Sequence, residues 1–279
     1  MNIGIVGLGL IGGSLGLDLR QVGFKVLGVS RHQHTCELAI ARGVADDASV
    51  AFSLLAAADI VFICTPIASI VPTVKIIIPH LSPATILTDV GSVKTPVVEA
   101  ITPIWSNFVG GHPMAGTTQS GIDAAQRQLF AGRPYVLTPV ASTLPASLQT
   151  LCEIARSLQA RVYHCSPSDH DRAVALISHL PVMVSASLID ACMVDPAVLK
   201  LVQQLASSGF RDTSRVGGGN PELGLMMAQY NRPELLRSLH NYRHSLDQMI
   251  SHIQQEDWTA LARILQQTQL ARSQFTDFE

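Results

Sequence analysis

Residues 7–12 read Gly-Leu-Gly-Leu-Ile-Gly, directly after the apolar run Asn2 to Val6 and directly before a helical stretch carrying Leu15, Leu17 and Leu19. Three glycines at this spacing, between a strand and a helix, divide the work. Gly7 permits the tight turn, Gly9 lets the backbone approach a pyrophosphate, and Gly12 lets the helix pack closely on its strand. The amino end of the helix adds free N–H groups and a favourable dipole. A second strand, Lys25 to Val29, closes the unit within about 30 residues, the context that separates a dinucleotide fingerprint from a glycine-rich turn that binds nothing. Gly7, Leu8, Gly9, Leu10, Ile11 and Gly12 are therefore expected to bind the cofactor.

The end of the second strand selects among dinucleotides. An acidic residue there would bond the ribose hydroxyls of NAD, whereas an Arg accommodates the 2′-phosphate of NADP. This chain has Ser30-Arg31-His32. Ser30 is a small hydrogen-bond donor, Arg31 a planar cation able to grip phosphate, and His32 a border for the adenine. NADP is the expected cofactor. Further strand-like runs end at Cys64-Thr65-Pro66 and at Asp89, and others span Asn107 to Val109, Pro134 to Leu137 and Arg161 to Tyr163. Ligands of an open parallel sheet collect at the carboxyl ends of its strands, so Cys64, Thr65, Pro66 and Asp89 join the expected cofactor residues. Strands alternating with helical stretches predict an α/β fold with a Rossmann-type doubly wound, mostly parallel sheet.

From Ser166 onward the pattern turns helical. Ser166-Pro167-Ser168-Asp169 reads as a capped helix start, followed by Ala173, Ile177, Leu180, Val184 and Leu188 at helical spacing, with Pro181 bending the axis. Asn220-Pro221 and Pro233-Glu234 start further helices, the latter with a long stripe from Leu235 to Ile253, and Asp257 caps a last one. The expected organisation is a dinucleotide-binding domain over 1–165 and an all-helical substrate and dimerisation domain over 166–279. Stripes this long bury more fully against a second copy, which predicts a homodimer.

With 19 basic against 21 acidic side chains and no basic run, nothing favours nucleic acid or an anionic membrane as partner. A small anionic substrate then needs a few placed cations. The apolar stretch Ala56 to Ile78 holds Asp59, Lys75, Pro66 and Pro72, so it reads as a strand and helix and not as a membrane span. The expected location is the cytoplasm. Five scattered cysteines without a CxxC pair indicate neither a disulfide framework nor a zinc site, and no metal is expected.

Hydride chemistry needs a base in the protein. Of ten histidines, His112 follows Gly110-Gly111 at a strand end, where an imidazole near its unperturbed pKa can take an alcohol proton as hydride leaves the same carbon. Ser92, past another strand, is placed to bond His112 or the substrate hydroxyl. Lys94 reads as solvated, and Asp89 as a turn cap as much as an orienting group. His240 and His244 lack a third ligand or an HExxH pattern and read as surface residues. Gly209 to Arg215 reads as a polar segment between helices, leading into Gly217-Gly218-Gly219. Its two arginines suggest a carboxylate clamp, with a solvated loop as the alternative.

Taken together and in order, the amino-terminal fingerprint, Asp89-Val90-Gly91-Ser92-Val93-Lys94, Gly111-His112-Pro113-Met114-Ala115-Gly116, Ser178-His179-Leu180-Pro181 and Gly209-Phe210-Arg211-Asp212-Thr213-Ser214-Arg215 resemble the prephenate/arogenate dehydrogenases of tyrosine biosynthesis. The resemblance spans nearly the whole chain. It implies oxidative decarboxylation of a cyclohexadienyl acid, with His112 as catalytic histidine, Ser92 beside it, and Arg215 on a substrate carboxylate. His179 and Asp212 fall near the cleft in the same resemblance, as do Thr117 and Thr118. Many prephenate-using relatives carry an acidic residue at position 118 and a second His at position 182; this chain has Thr118 and Val182. With Ser30-Arg31, these departures favour arogenate and NADP. Prephenate dehydrogenase is the alternative within enzymes, and an NADP-binding sensor the alternative outside them.

Overall fold

A computed structural model describes residues 1–117 and 119–276; Thr118 lies outside the described residues. Eight strands, β1 (Asn2–Val6), β2 (Lys25–Val29), β3 (Asp47–Ser49), β4 (Ile60–Ile63), β5 (Ile86–Asp89), β6 (Phe108–Pro113), β7 (Pro134–Thr138) and β8 (Arg161–His164), form one sheet in the order β3-β2-β1-β4-β5-β6-β7-β8. Pairing is parallel from β3 across to β6, antiparallel between β6 and β7, and parallel between β7 and β8. The Rossmann-type, mostly parallel sheet is therefore present. β3 escaped sequence reading because its three residues, Asp-Ala-Ser, carry no apolar run.

The continuous Ile and Val runs of β1 and β4 follow from burial on both faces. Successive side chains alternate sides: Ile3, Ile5, Ile60 and Phe62 enter one core, Val6, Val61 and Ile63 the other. The first core is closed by α1 (Leu10–Gln21) through Leu15 and Leu19 and by α5 (Pro145–Ser157) through Leu151 and Ile154; the second by α3 (Ile67–Ile77) through Ile70 and Val74 and by α4 (Thr95–Ile101). α2 (Gln33–Ala41) follows β2. Strand order reverses between β1 and β4, so the connections leaving these neighbours diverge and open a crevice at their carboxyl ends.

α6 (Pro167–Val174) begins as the sequence indicates, with Ser166 Oγ accepting the Asp169 N–H at 3.0 Å. Where a bend was expected at Pro181, the helix carries one π turn, Ala175–His179, before α7 (Leu180–Cys192). Proline has no N–H for the carbonyl one turn back, and a widened turn absorbs that loss. The run Pro167–Cys192 has the length and mean hydropathy, 1.6, to cross a membrane. It nevertheless carries buried His170, Asp171 and His179, each hydrogen-bonded within the fold.

α8 (Leu199–Leu205), α9 (Ser208–Ser214) and α10 (Pro221–Tyr230) follow, the last capped by Asn220 Oδ1 on the Glu222 N–H at 2.9 Å. α9 corrects the sequence reading: Gly209 to Arg215 is no loose connection but a short helix followed by the glycine turn. Thr213 takes part in it, donating to the Gly209 carbonyl at 2.8 Å.

By contacts the chain divides into two compact units, Met1–Arg232 and Pro233–Glu279. The second consists of α11 (Arg232–Gln254) and α12 (Trp258–Thr276), with Asp257 Oδ1 capping the Ala260 N–H at 3.0 Å. Tyr242, Leu246, Ile253, Trp258, Leu265 and Leu270 stand exposed on these helices.

Candidate active site

The glycine turn behaves as its spacing requires. Gly7 has φ +98°, and a Cβ there would lie 2.6 Å from the Cys64 carbonyl oxygen; a Cβ on Gly12 would lie 2.0 Å from that of Gly7. No side chain other than hydrogen fits either position. Gly9 differs, since nothing lies within 4 Å of its Cβ position, and no side chain caps the amino end of α1. An open glycine, an uncapped helix end and the buried, unpartnered Thr65 Oγ1 fit a phosphate-bearing, oxygen-rich ligand. Leu8 is buried, while Leu10 and Ile11 are half-buried.

Gly7 donates to the Val29 carbonyl at 2.9 Å and Cys64 to that of Val6 at 2.7 Å. The ends of β1, β2 and β4 thus converge on the crevice, bringing the glycine turn, Ser30-Arg31-His32 and Cys64-Thr65-Pro66 to one edge of the sheet. At the end of β2, Ser30 Oγ accepts the His32 N–H at 3.4 Å and the exposed Arg31 donates from Nε to His32 Nε2 at 3.0 Å. Burial, with Asp89 nearby, pushes the Cys64 thiol up and keeps it protonated.

The end of β5 departs from expectation. Asp89, expected to face the cofactor, is fully buried and turned into the protein. Its Oδ2 accepts the Gly91 N–H at 2.8 Å and pairs with the Lys94 ammonium, and its Oδ1 accepts the Gly111 N–H at 3.2 Å. Lys94, expected in solvent, is 0% exposed and also donates to the Gly111 carbonyl at 2.8 Å. Burial pulls its pKa down from the usual lysine range, against the opposing attraction of Asp89. This ion pair joins the ends of β5 and β6 directly behind His112.

His112 lies on β6 opposite Val136 and is 9% exposed. Its Nδ1 meets His170 Nε2 at 2.8 Å, not Ser92, which is half-buried and makes no bond to it. His170 Nδ1 in turn meets Asp171 Oδ1 at 2.8 Å. Asn231 donates to the Asp171 carbonyl at 2.8 Å and reaches His179 Nδ1 at 3.2 Å, while His179 Nε2 is buried without a partner. A nitrogen that accepts from Asn231 leaves the proton on Nε2, so His179 presents a donor that nothing among the described residues satisfies. Burial, then the nearby His170, Lys94 and His179, push His112 well below an ordinary histidine, so the expected unperturbed imidazole is corrected to one held neutral. Burial likewise lowers His179 to about 4.

Sequence reading missed Lys94, His170, Asp171 and Asn231. Lys94 and Asp171 are 77 positions apart, and no local pattern announces their meeting. Of the remaining expected residues, Arg215 is exposed just past α9 and makes no ion pair among the described residues. Asp212 is exposed and pairs with Arg211 at 3.6 Å, and the exposed Thr117 Oγ1 accepts the Gln119 N–H at 3.2 Å. The segment holding Arg215 is anchored to α7 through Ser185, which donates to the Thr213 carbonyl at 2.8 Å and accepts the Gly217 N–H at 2.9 Å. His240 and His244 are exposed, and no metal-binding group of side chains occurs among the described residues.

A dinucleotide-binding sheet with a buried imidazole at one of its strand ends is the arrangement of a nicotinamide-dependent dehydrogenase. Residues 15–164 match the nucleotide-binding domain of prephenate dehydrogenase, and residues 166–267 its dimerization domain. The chain belongs to the prephenate dehydrogenase family. It is similar to the crystal structure of Synechocystis arogenate dehydrogenase, with 56% identity, TM-score 0.91, and 99% of this chain and 100% of that one covered. It is also similar to Aquifex aeolicus prephenate dehydrogenase in complex with hydroxyphenyl propionate and NAD+, with 27% identity, TM-score 0.93, and 99% and 98% covered. Among curated relatives, prephenate dehydrogenase of Bacillus subtilis (strain 168) is 32% identical over 266 residues, covering 93% of this chain and 72% of the relative.

Proposed function

We propose that this protein is an NADP-dependent arogenate dehydrogenase, converting L-arogenate to L-tyrosine with release of carbon dioxide. The observation that carries the chemistry is His112: buried, held neutral, with Nδ1 committed to His170 and no hydrogen bond at Nε2 among the described residues. NADP, when bound, supplies the hydride acceptor. His112 Nε2 takes the ring-hydroxyl proton as hydride leaves the same carbon. The bond from the opposite ring carbon to its carboxylate breaks, that electron pair runs through the ring to the oxygen, which takes its proton back from His112, and carbon dioxide departs. The ring becomes aromatic, which makes the step effectively irreversible and leaves no role for a Lewis acid.

Ser92 completes the catalytic pair by bonding the substrate hydroxyl. Arg215, without an ion pair among the described residues, binds a substrate carboxylate, the His179 Nε2–H bonds a substrate oxygen, and Asp212 and Thr117 border the substrate, to which Thr118, outside the described residues, is also assigned. The glycine turn, Ser30-Arg31-His32 and Cys64-Thr65-Pro66 bind the cofactor. Arg31 and the absence of a carboxylate at the end of β2 support NADP; the 56% identity to an arogenate dehydrogenase, with Thr118 and Val182, supports arogenate.

We further propose a homodimer in the cytoplasm, with 1–165 holding the nucleotide and 166–279 serving substrate and dimerisation. The matched dimerization domain and the exposed apolar side chains of α11 and α12 support the dimer. Prephenate is the second reading, favoured by the B. subtilis relative. Purified enzyme assayed with both substrates and both cofactors decides: reduction of NADP with arogenate is expected. Preference for prephenate replaces the substrate, and silence with both points to a sensor.

A further inference from the structure

His112, His170 and Asp171 form one hydrogen-bonded line whose direction is set at its far end. Asp171 is 3% exposed, its Oδ1 accepting the Lys94 backbone N–H at 2.7 Å and its Oδ2 that of Thr95 at 2.8 Å. Burial alone would raise its pKa, but the hydrogen bonds from His170, Thr95 and Lys94 outweigh it and hold the carboxyl below its usual range. An ionised carboxylate only accepts. The proton between Asp171 and His170 therefore belongs to His170 Nδ1, and with that as its one ring proton His170 turns a bare Nε2 toward His112. Across that 2.8 Å contact His112 Nδ1 is the donor, and its lone pair sits on Nε2.

We propose that His170 and Asp171 are positioning residues that lock His112 in the Nδ1-protonated tautomer, so that Nε2 meets the substrate hydroxyl as a ready base. The bond one ring nitrogen makes decides which proton the other carries. Without it the two tautomers of a neutral imidazole compete, and the Nε2-protonated form cannot accept. Once Nε2 has taken the substrate proton, the Nδ1–H bond to His170 stays in place and supports the imidazolium. The other groups with charge facing His112 are Lys94 and His179; neither bonds its ring, so neither fixes the tautomer. This assignment rests on the reading of His112 as base, and its test separates the two.

The test is a long-range proton–nitrogen NMR spectrum of the full-length enzyme with 15N-labelled histidine at about pH 8, above the usual imidazole range, with His112 identified by its loss in His112→Asn. The expected result is protonated Nδ1 and bare Nε2; a proton on Nε2 overturns the proposal. This readout needs neither substrate nor turnover, so an enzyme silent with arogenate and prephenate would end the catalytic reading while the tautomer is still decided. In an active enzyme, His170→Leu is expected to lower kcat about 100-fold with KM and NADP affinity little changed. His170→Gln, whose amide oxygen accepts the same N–H, should recover about tenfold of that loss. Equal activity of the two variants would also overturn it, and should both fail to fold, the wild-type spectrum still decides.

Discussion

The rings of His112 and His170 meet edge to face, with centroids 5.0 Å apart and planes inclined at 70°, across 58 positions of sequence. The contact joins β6 of the sheet to α6, the helix that follows the last strand. It also spends one of the two nitrogens of His112 on the protein, so only Nε2 is left for substrate. A base with one assigned nitrogen and a depressed pKa stays deprotonated over a wide pH range, at the cost of some intrinsic basicity.

His112→Asn should abolish turnover while leaving NADP bound, read as loss of absorbance gain at the reduced-cofactor band with retained cofactor affinity. In the wild type, kcat/KM should fall on the acid side with a midpoint below 6.5, because His112 is pushed well below that value. A midpoint at or above it would mean that a different group is the base.

His179 supplies a pH dependence of stability. Unfolded, it binds a proton near 6.5; folded, only near 4. Between these values the unfolded chain holds more protons, so stability is full above 6.5 and is lost as pH falls toward 4, by about 3 kcal/mol. Thermal melts from pH 7 to 4 should show this decline, and His179→Asn should flatten part of it. Parallel curves for the two proteins would remove His179 as the cause.

Lys94→Met should destabilise the fold by about 3–5 kcal/mol, since it leaves the Asp89 carboxylate buried without its cation. Urea denaturation measures this. A loss below 1 kcal/mol would return Lys94 to the solvated role its sequence suggested.

Arg31→Ala should weaken NADP by about 10–100-fold, the worth of one or two charged hydrogen bonds to phosphate, and leave NAD nearly unchanged. Equal losses for the two cofactors in a fluorescence titration would undo the assignment of NADP.

Arg215→Ala should raise KM for arogenate by about 10–100-fold through loss of a carboxylate clamp, with NADP affinity intact. An unchanged KM would mean that the exposed guanidinium is solvated and that another cation holds the substrate.

Much of this was written in local pattern. The glycine spacing, the two-sided strands β1 and β4 and the caps at Ser166, Asn220 and Asp257 are readable because strand period, turn sterics and capping act over a few residues. Three-residue β3 and short, polar α9 were not, since neither carries a periodic apolar face. His112 was legible as a candidate base from its place at a strand end. Its partner was not: the sequence pointed to Ser92, and the fold supplied His170. The protonation state of His112, the burial of Lys94 with Asp89 and the unpartnered nitrogen of His179 were decided by tertiary structure alone. Desolvation and hydrogen bonding depend on which distant segments exclude water together, and no local pattern in the chain encodes that.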